Sequence, residues 1–340
     1  MFTVYYAHHK CPVCPYKLRT WPYKTDTFLS QSQLRLFNDG VASLFTHVAI
    51  LLAQTQSWIP CFVFLSLGTS VKMNVLLVVP PALVLLVAGS KPSTAVCAVV
   101  AFVSVQILLA APFLLTFPNE YFAKAFEFTR QFQYKWTVNW RMLRKQTFLS
   151  KEFAYGLLVC HLGVLFLFAH TKWYPKNKGK NKKNEERFFW FFFRDWFARV
   201  PTNALPLGDE EKNTRLTSPT HVLTTLHEGA FIGIVFARSL HYQFYAWYFF
   251  SLPWLLWRCF LFDGMGKFVG DACMGKQSRG TFPYPTLVSS FLRVGLFLAI
   301  ERSWNVFPAT TESSATLFAA HLVLLAGLWW SPSDEKVKKK

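Results

Sequence analysis

The chain has 340 residues, of which 52% are hydrophobic, 18% aromatic and only 16% charged, and its net charge is +18. Soluble domains carry about 25% charged residues, so the polar surface needed to wrap a single water-facing core is missing. The positive balance points away from nucleic acid, because the basic residues lie in stretches between apolar runs, where anionic head groups and phosphorylated lipids are the natural partners.

Residues 1–33 form an atypical polar segment, HHKCPVCPYKLRTWPYKTDTFLSQSQ over most of its length. Met1 leads into an apolar stretch too short for a cleavable signal peptide. Cys11 and Cys14 make a lone C-x-x-C with no second pair and no histidine at finger spacing, so they read as two unrelated thiols and no metal site is expected. Apolar windows follow at 41–57, 75–89, 95–117, 153–171, 229–262, 286–304 and 315–330. A spanning helix needs roughly 20 residues, and these windows reach or approach that length. They are rich in Leu, Val and Phe without strict alternation, which selects helices over barrel strands. The window 229–262 is too long for one span and is expected to break near Arg238–His241. The expected fold is all-α: a multi-pass transmembrane helical bundle over 34–332 with short luminal loops.

Orientation follows from charge. The run KNKGKNKKNEER at 176–187 reads as cytosolic, which places the basic loop 173–220 in the cytosol. The chain ends in KVKKK, either a dilysine-type retrieval signal of endoplasmic-reticulum membrane proteins or a basic flank of the last helix. Both readings make 333–340 a cytosolic tail. Counting helices back puts 35–40, 72–74, 118–152, 238–241 and 306–314 in the lumen. Segment 118–152 then breaks the positive-inside pattern, with Lys124, Arg130, Lys135, Arg141, Arg144, Lys145 and Lys151 against Glu120, Glu127 and Glu152. A translocated basic loop of this kind suits a phosphate or pyrophosphate head group.

Five polar clusters interrupt the apolar sequence, all on that same side: LRLFND (34–39), VKMN (71–74), QFQYKWTVNWR (131–141), ARSLHYQFYAWYF (237–249) and ERSWNVFP (301–308). Taken singly, each fits an interfacial belt of aromatic and snorkelling basic residues. Together they gather basic, amide and acidic groups on one face. In this order, from about Leu34 to about Ala320, they resemble the signature segments of the dolichyl-phosphate-mannose-dependent α-1,3-mannosyltransferases of the asparagine-linked glycosylation pathway. That resemblance implies the GT-C architecture, an endoplasmic-reticulum location, and an active side facing the lumen. It implies mannose transfer from dolichyl-phosphate mannose to a pentamannosyl dolichol-pyrophosphate oligosaccharide, with no cofactor.

A lipid-phosphate leaving group develops negative charge at the membrane surface, which fixed cations stabilise. Arg35, Lys72, Arg141 and Arg238 are the candidates. Asn74 and Asn305 add amides, and the resemblance places His241, Tyr242 and Gln243 beside the site. Trp136, Trp140 and Trp304 offer faces for sugar stacking. Inverting transfer also needs a carboxylate to take the proton of the attacking hydroxyl. Asp39 and Glu301 are the nearest acids, although Asp39 also suits a helix N-cap and Glu301 has Arg302 and Arg293 as possible ion partners. The resemblance implies a catalytic acid in the first luminal loop, upstream of LRLFND, so the chain reads as an N-terminally shortened form. GDACMGKQ (270–277) is not a phosphate loop, because Gln277 replaces the metal-binding hydroxyl. An inactive shortened form and a lipid or anion transporter are the competing functions.

Overall fold

The computed structural model describes residues 38–125, 133–174, 216–259 and 284–331. Outside them lie Arg35, Arg130, Cys11 and Cys14, the basic run 176–187, the glycine-rich stretch 270–277, and the tail 333–340.

The described residues form helices and no β-strand. In chain order they are α1 Asp39–Gln54, α2 Trp58–Val71, α3 Val79–Gly89, α4 Pro92–Thr116, α5 Pro118–Ala125, α6 Lys145–Leu149, α7 Lys151–Phe168, α8 Pro219–Val235, α9 Leu252–Arg258, α10 Tyr284–Asn305 and α11 Thr311–Trp330. A π turn, Ala169–Trp173, continues α7. Short 3-10 segments occupy Met73–Leu77, Tyr134–Trp136, Tyr242–Trp247 and Phe249–Ser251.

Among the described residues, three helices are long and apolar enough to cross a bilayer: Pro92–Thr116, Lys151–Trp173 and Thr311–Trp330. Helix α10 matches them in length but carries Arg293, Glu301 and Arg302. The apolar windows erred elsewhere. They omitted α2, and 75–89 opens as a 3-10 segment before the 11-residue α3. The long window 229–262 does break near Arg238–His241 as expected, between the end of α8 and the two 3-10 segments that lead into the short α9, and its residues 260–262 lie outside the described ones.

Local chemistry sets the helix starts. Ser150 accepts from the Phe153 amide at the head of α7. Thr310 and Ser313 cap each other's amides reciprocally at the head of α11, which satisfies donors that have no partner inside the helix. Prolines open α4 and α8, where no backbone N–H is needed.

Side-chain contacts orient the helices. Helices α1 and α2 are antiparallel, so Asp39 and Lys72 meet at one end. Gln106 of α4 donates to Ser66 O and Ser70 Oγ of α2, at 2.7 and 3.0 Å, so these two helices run the same way. Lys172 donates to the carbonyls of Leu328 and Ser331, which ties the end of α7 to the end of α11. One end of the bundle therefore carries Asp39, Lys72, 117–125, 133–150, 236–247 and 301–310. The other carries 55–57, 90–91, 172–174 and 331.

Helix α8 is the central element, with thirteen buried residues including His221, His227 and Glu228. These ionisable groups lie just before the apolar window that opens at 229, so the hydropathy pattern does not reveal them. Buried carboxylates need partners, and Glu228 accepts from Trp173 Nε1 at 2.8 Å. Close packing on α8 depends on two glycines. A Cβ at Gly229 would lie 2.3 Å from Pro81 Cγ, and one at Gly233 would lie 2.5 Å from Leu77 Cδ2.

These contacts generate a graded prediction. Gly229→Ala drives a methyl into a rigid proline ring and should lower the detergent-solubilised unfolding transition by about 1–3 kcal/mol. Gly233→Ala meets the far end of a leucine, which can rotate, and should cost less. Equal thermal shifts for the two variants in size-exclusion melting would contradict this packing.

Candidate functional site

The site is organised by the segment that leaves α8. Arg238 and Ser239 follow the helix end, and the backbone from Phe236 to His241 is irregular. Backbone polar groups near an apolar phase must find partners within the protein. The WTVNWR stretch supplies them. The Val138 amide donates to Leu240 O at 2.7 Å, and Asn139 Oδ1 accepts from the Leu240 amide at 2.8 Å. Asn139 Nδ2 and Trp140 Nε1 both donate to Ala237 O, at 2.7 and 2.8 Å. Asn139 is itself buried and also accepts from the Thr137 hydroxyl. Its donor and acceptor ends are both used, a role no apolar residue can fill.

From this fixed start, residues 241–248 reach every other described cluster. His241 Nδ1 lies 3.2 Å from Trp136 O. The Tyr242 hydroxyl donates to Val306 O at 2.8 Å. The Tyr245 hydroxyl donates to Glu301 Oε2 at 2.5 Å, and Trp247 Nε1 donates to Asp39 Oδ1 at 2.7 Å. Tyr248 closes the network inside the core. Its hydroxyl accepts from Trp304 Nε1 at 2.7 Å and lies 2.8 Å from His321 Nε2. An indole can only donate, so the tyrosine proton is directed to His321.

The two carboxylates sit in opposite environments. Asp39 is the first residue of α1, not its cap, and its buried side chain makes no capping bond. Its Oδ1 lies 2.5 Å from Lys72 Nζ and also receives the Trp247 indole. The lysine ammonium lies 5.0 Å from the Phe244 ring centroid and keeps 23% of its side chain accessible. This ion pair clamps α1, the end of α2 and the 242–247 segment together. Glu301 is partly exposed. It accepts from Tyr245 on Oε2 and from Asn305 Nδ2 on Oε1 at 3.0 Å. Burial first, then the neighbouring Glu301 carboxylate, pushes the Tyr245 phenol above its ordinary range, so it remains a donor. Neither Arg302 nor Arg293 forms an ion pair with Glu301 among the described residues. Arg293 instead donates to Leu256 O and Ser289 Oγ.

Several expectations for individual residues need correction. Trp140 and Trp304 are 6% and 4% exposed, so they are core residues and present no free face to a sugar. Trp304 stacks on Tyr245 with centroids 5.2 Å apart. Arg141 ties loops together, because it donates to Ala309 O and Tyr134 O and lies over the Tyr134 ring. Arg238 donates to Leu149 O at 3.4 Å. The structure brings Lys72, His241, Tyr242, Glu301 and Asn305 to one end of the bundle. Gln243 is partly exposed there, and its side chain makes no hydrogen bond among the described residues. Asn74 has a buried Oδ1 with no partner among them. Asn139, Tyr245, Trp247, Tyr248 and His321 were not singled out in sequence. All but His321 lie inside the WTVNWR and SLHYQFYAWYF clusters, and the aromatic density there was the available signal.

Comparison with known proteins places this arrangement. The family model described as ALG3 protein matches residues 1–314. A protein of Arabidopsis thaliana named Dol-P-Man:Man(5)GlcNAc(2)-PP-Dol alpha-1,3-mannosyltransferase is 40% identical over 90% of this chain and 62% of its own length. The protein of that name in Homo sapiens is 36% identical over 98% of this chain and 65% of its own length. A third, from Mus musculus, is 38% identical over 88% of this chain and 59% of its own length. The chain thus spans less than two thirds of these relatives. No solved structure matches it.

Asn139 yields the test of the strap. Asn139→Ala leaves the Leu240 amide buried without its acceptor, a loss of about 1–3 kcal/mol, while Trp140 still serves Ala237 O. The variant should melt earlier in detergent and expose the 237–248 segment to limited proteolysis. An unchanged digestion pattern would show that the strap does not hold this segment.

Proposed function

This chain belongs to the ALG3 protein family, and from that premise we propose that it transfers mannose from dolichyl-phosphate mannose, in α-1,3 linkage, to the pentamannosyl dolichol-pyrophosphate oligosaccharide. The reading rests on the names of its relatives and on one observation. The polar groups of clusters far apart in sequence converge at one end of the bundle around a single irregular segment, 237–248. The enzyme works at the endoplasmic-reticulum membrane, with this end luminal and the C-terminus cytosolic, a reading supported by the basic run 176–187.

In this reaction the acceptor hydroxyl attacks the anomeric carbon opposite the phosphate. The carbon–oxygen bond to phosphate breaks, and dolichyl phosphate leaves with the electron pair. Lys72, which lies against the Phe244 and Trp247 rings and keeps 23% of its side chain accessible, offsets the charge that develops on the leaving phosphate. Its pairing with Asp39 fixes its position. Of the two acids considered, Glu301 is the one that receives the hydroxyl proton, because it is partly exposed and held by two donors. Asp39 is buried and already bound to a cation. Arg238 and His241 border the same segment and orient phosphate or sugar oxygens.

Glu301→Gln keeps the shape and one acceptor oxygen for its two donors, Tyr245 and Asn305, but removes the proton acceptor. In microsomes without endogenous activity, supplied with labelled dolichyl-phosphate mannose, transfer should fall by about 10²-fold or more, with membrane insertion unchanged. Wild-type rates from this variant would remove Glu301 from the proton-accepting role. If the unaltered chain left the pentamannosyl acceptor unextended, the transferase reading itself would fail.

A further inference from the structure

The bundle end described above carries one exposed aromatic surface that the transfer chemistry leaves unused. Trp136 is 42% exposed and Phe307 is 69% exposed, and their rings lie near-parallel at 20° with centroids 6.5 Å apart. They come from chain segments about 170 residues apart, so neither helix periodicity nor local sequence explains the pairing. Both are held by neighbouring side chains. The Trp136 carbonyl is engaged by His241, and Lys135 Nζ lies 5.1 Å from the Trp136 ring centroid. Tyr242 packs edge-on against Phe307 at 5.5 Å, while its hydroxyl holds the preceding carbonyl, Val306 O.

The position of this pair decides its partner. The segment that carries Phe307 begins at Asn305, whose amide donates to Glu301 Oε1. A carboxylate and an amide therefore lie at one end of this segment, and two exposed aromatic rings at the other. Pyranose rings present this same division: an apolar face of C–H bonds that packs on aromatic carbon, and hydroxyls at the edge that need donors and acceptors.

We propose that Trp136 and Phe307 form the platform on which a mannose ring of the acceptor oligosaccharide rests, with Tyr242 positioning Phe307 and with Asn305 and Glu301 meeting the sugar's hydroxyls. This rests on the mannosyl-transfer reading for the identity of the glycan, and it assigns the acceptor to the Glu301 side of the site. The lipid-phosphate donor then falls to the Lys72 side, across the Tyr242–Trp247 segment.

The test separates binding from chemistry. The detergent-solubilised chain is titrated with the soluble pentamannosyl chitobiose glycan, without lipid or donor, and binding is followed by calorimetry and by saturation-transfer NMR. Trp136→Ala and Phe307→Ala should each weaken binding about tenfold, the scale of one lost aromatic packing contact. Phe307→Tyr should restore it, and Phe122→Ala, another exposed aromatic outside the platform, should leave it unchanged. In transfer assays the two alanine variants should raise the acceptor KM and spare the donor KM. Equal glycan affinity in wild type and both alanine variants, no glycan binding by wild type, or equal weakening by Phe122→Ala would each overturn the platform. Glycan binding that depends on Trp136 in a chain that transfers no mannose would sink the transferase reading alone.

Discussion

The structure depends on satisfying backbone polar groups where a helix stops inside an apolar bundle. Helix α8 ends at Val235, and the chain does not become regular again until Tyr242. In hydrocarbon each unmet amide or carbonyl costs several kcal/mol, so an irregular stretch survives only when other protein groups complete it. Asn139 and its neighbours do this from a loop almost a hundred residues away. The same stretch can then be used as a rigid mount. Side chains at 241, 242, 245 and 247 reach from it and the segment after it to three separate regions, and all of them are held in place by one strap.

Burial separates two acids of similar chemistry. Asp39 is enclosed and neutralised by Lys72, with Trp247 as a second donor. Removing one partner of such a pair strands a charge in a low-dielectric setting, so Asp39 belongs to the architecture. Glu301 receives neutral donors, the Tyr245 phenol and the Asn305 amide, and stays partly open to solvent. Neutral partners orient a carboxylate without pairing its charge with a cation. Behind it the Trp304–Tyr248–His321 network fixes the stacked Tyr245 ring from inside the core.

Much of this was legible in the chain itself. Composition alone marks a helical membrane protein, because 52% hydrophobic and 16% charged residues cannot cover a soluble core. The clustering of polar residues at helix ends marked segments that meet at one end of the bundle, and the five motifs in their order identified the family. Individual roles were far less legible. Trp140 and Trp304 read as sugar-facing because a tryptophan in a polar cluster looks the same whether buried or exposed. Helix α2 was overlooked because Ser66, Gly68, Thr69 and Ser70 dilute its apolar run, and Glu228 was overlooked because the window was cut beside it. Asn139 gave no signal as a strap, since its partners Ala237 and Leu240 are carbonyl and amide groups common to every residue.

By itself, then, the sequence determined the solvent of this protein, its all-α class and the family to which it belongs. Those properties depend on totals and on local periodicity, and both survive without a folded state. Only the tertiary structure decided which acid is enclosed, which aromatic rings keep an open face, and that Trp136 meets Phe307. These outcomes depend on which distant segments pack against each residue. Burial is a property of the neighbours, and the neighbours of Glu301 and Asp39 are set by where the strap at Asn139 holds the chain between α8 and α9.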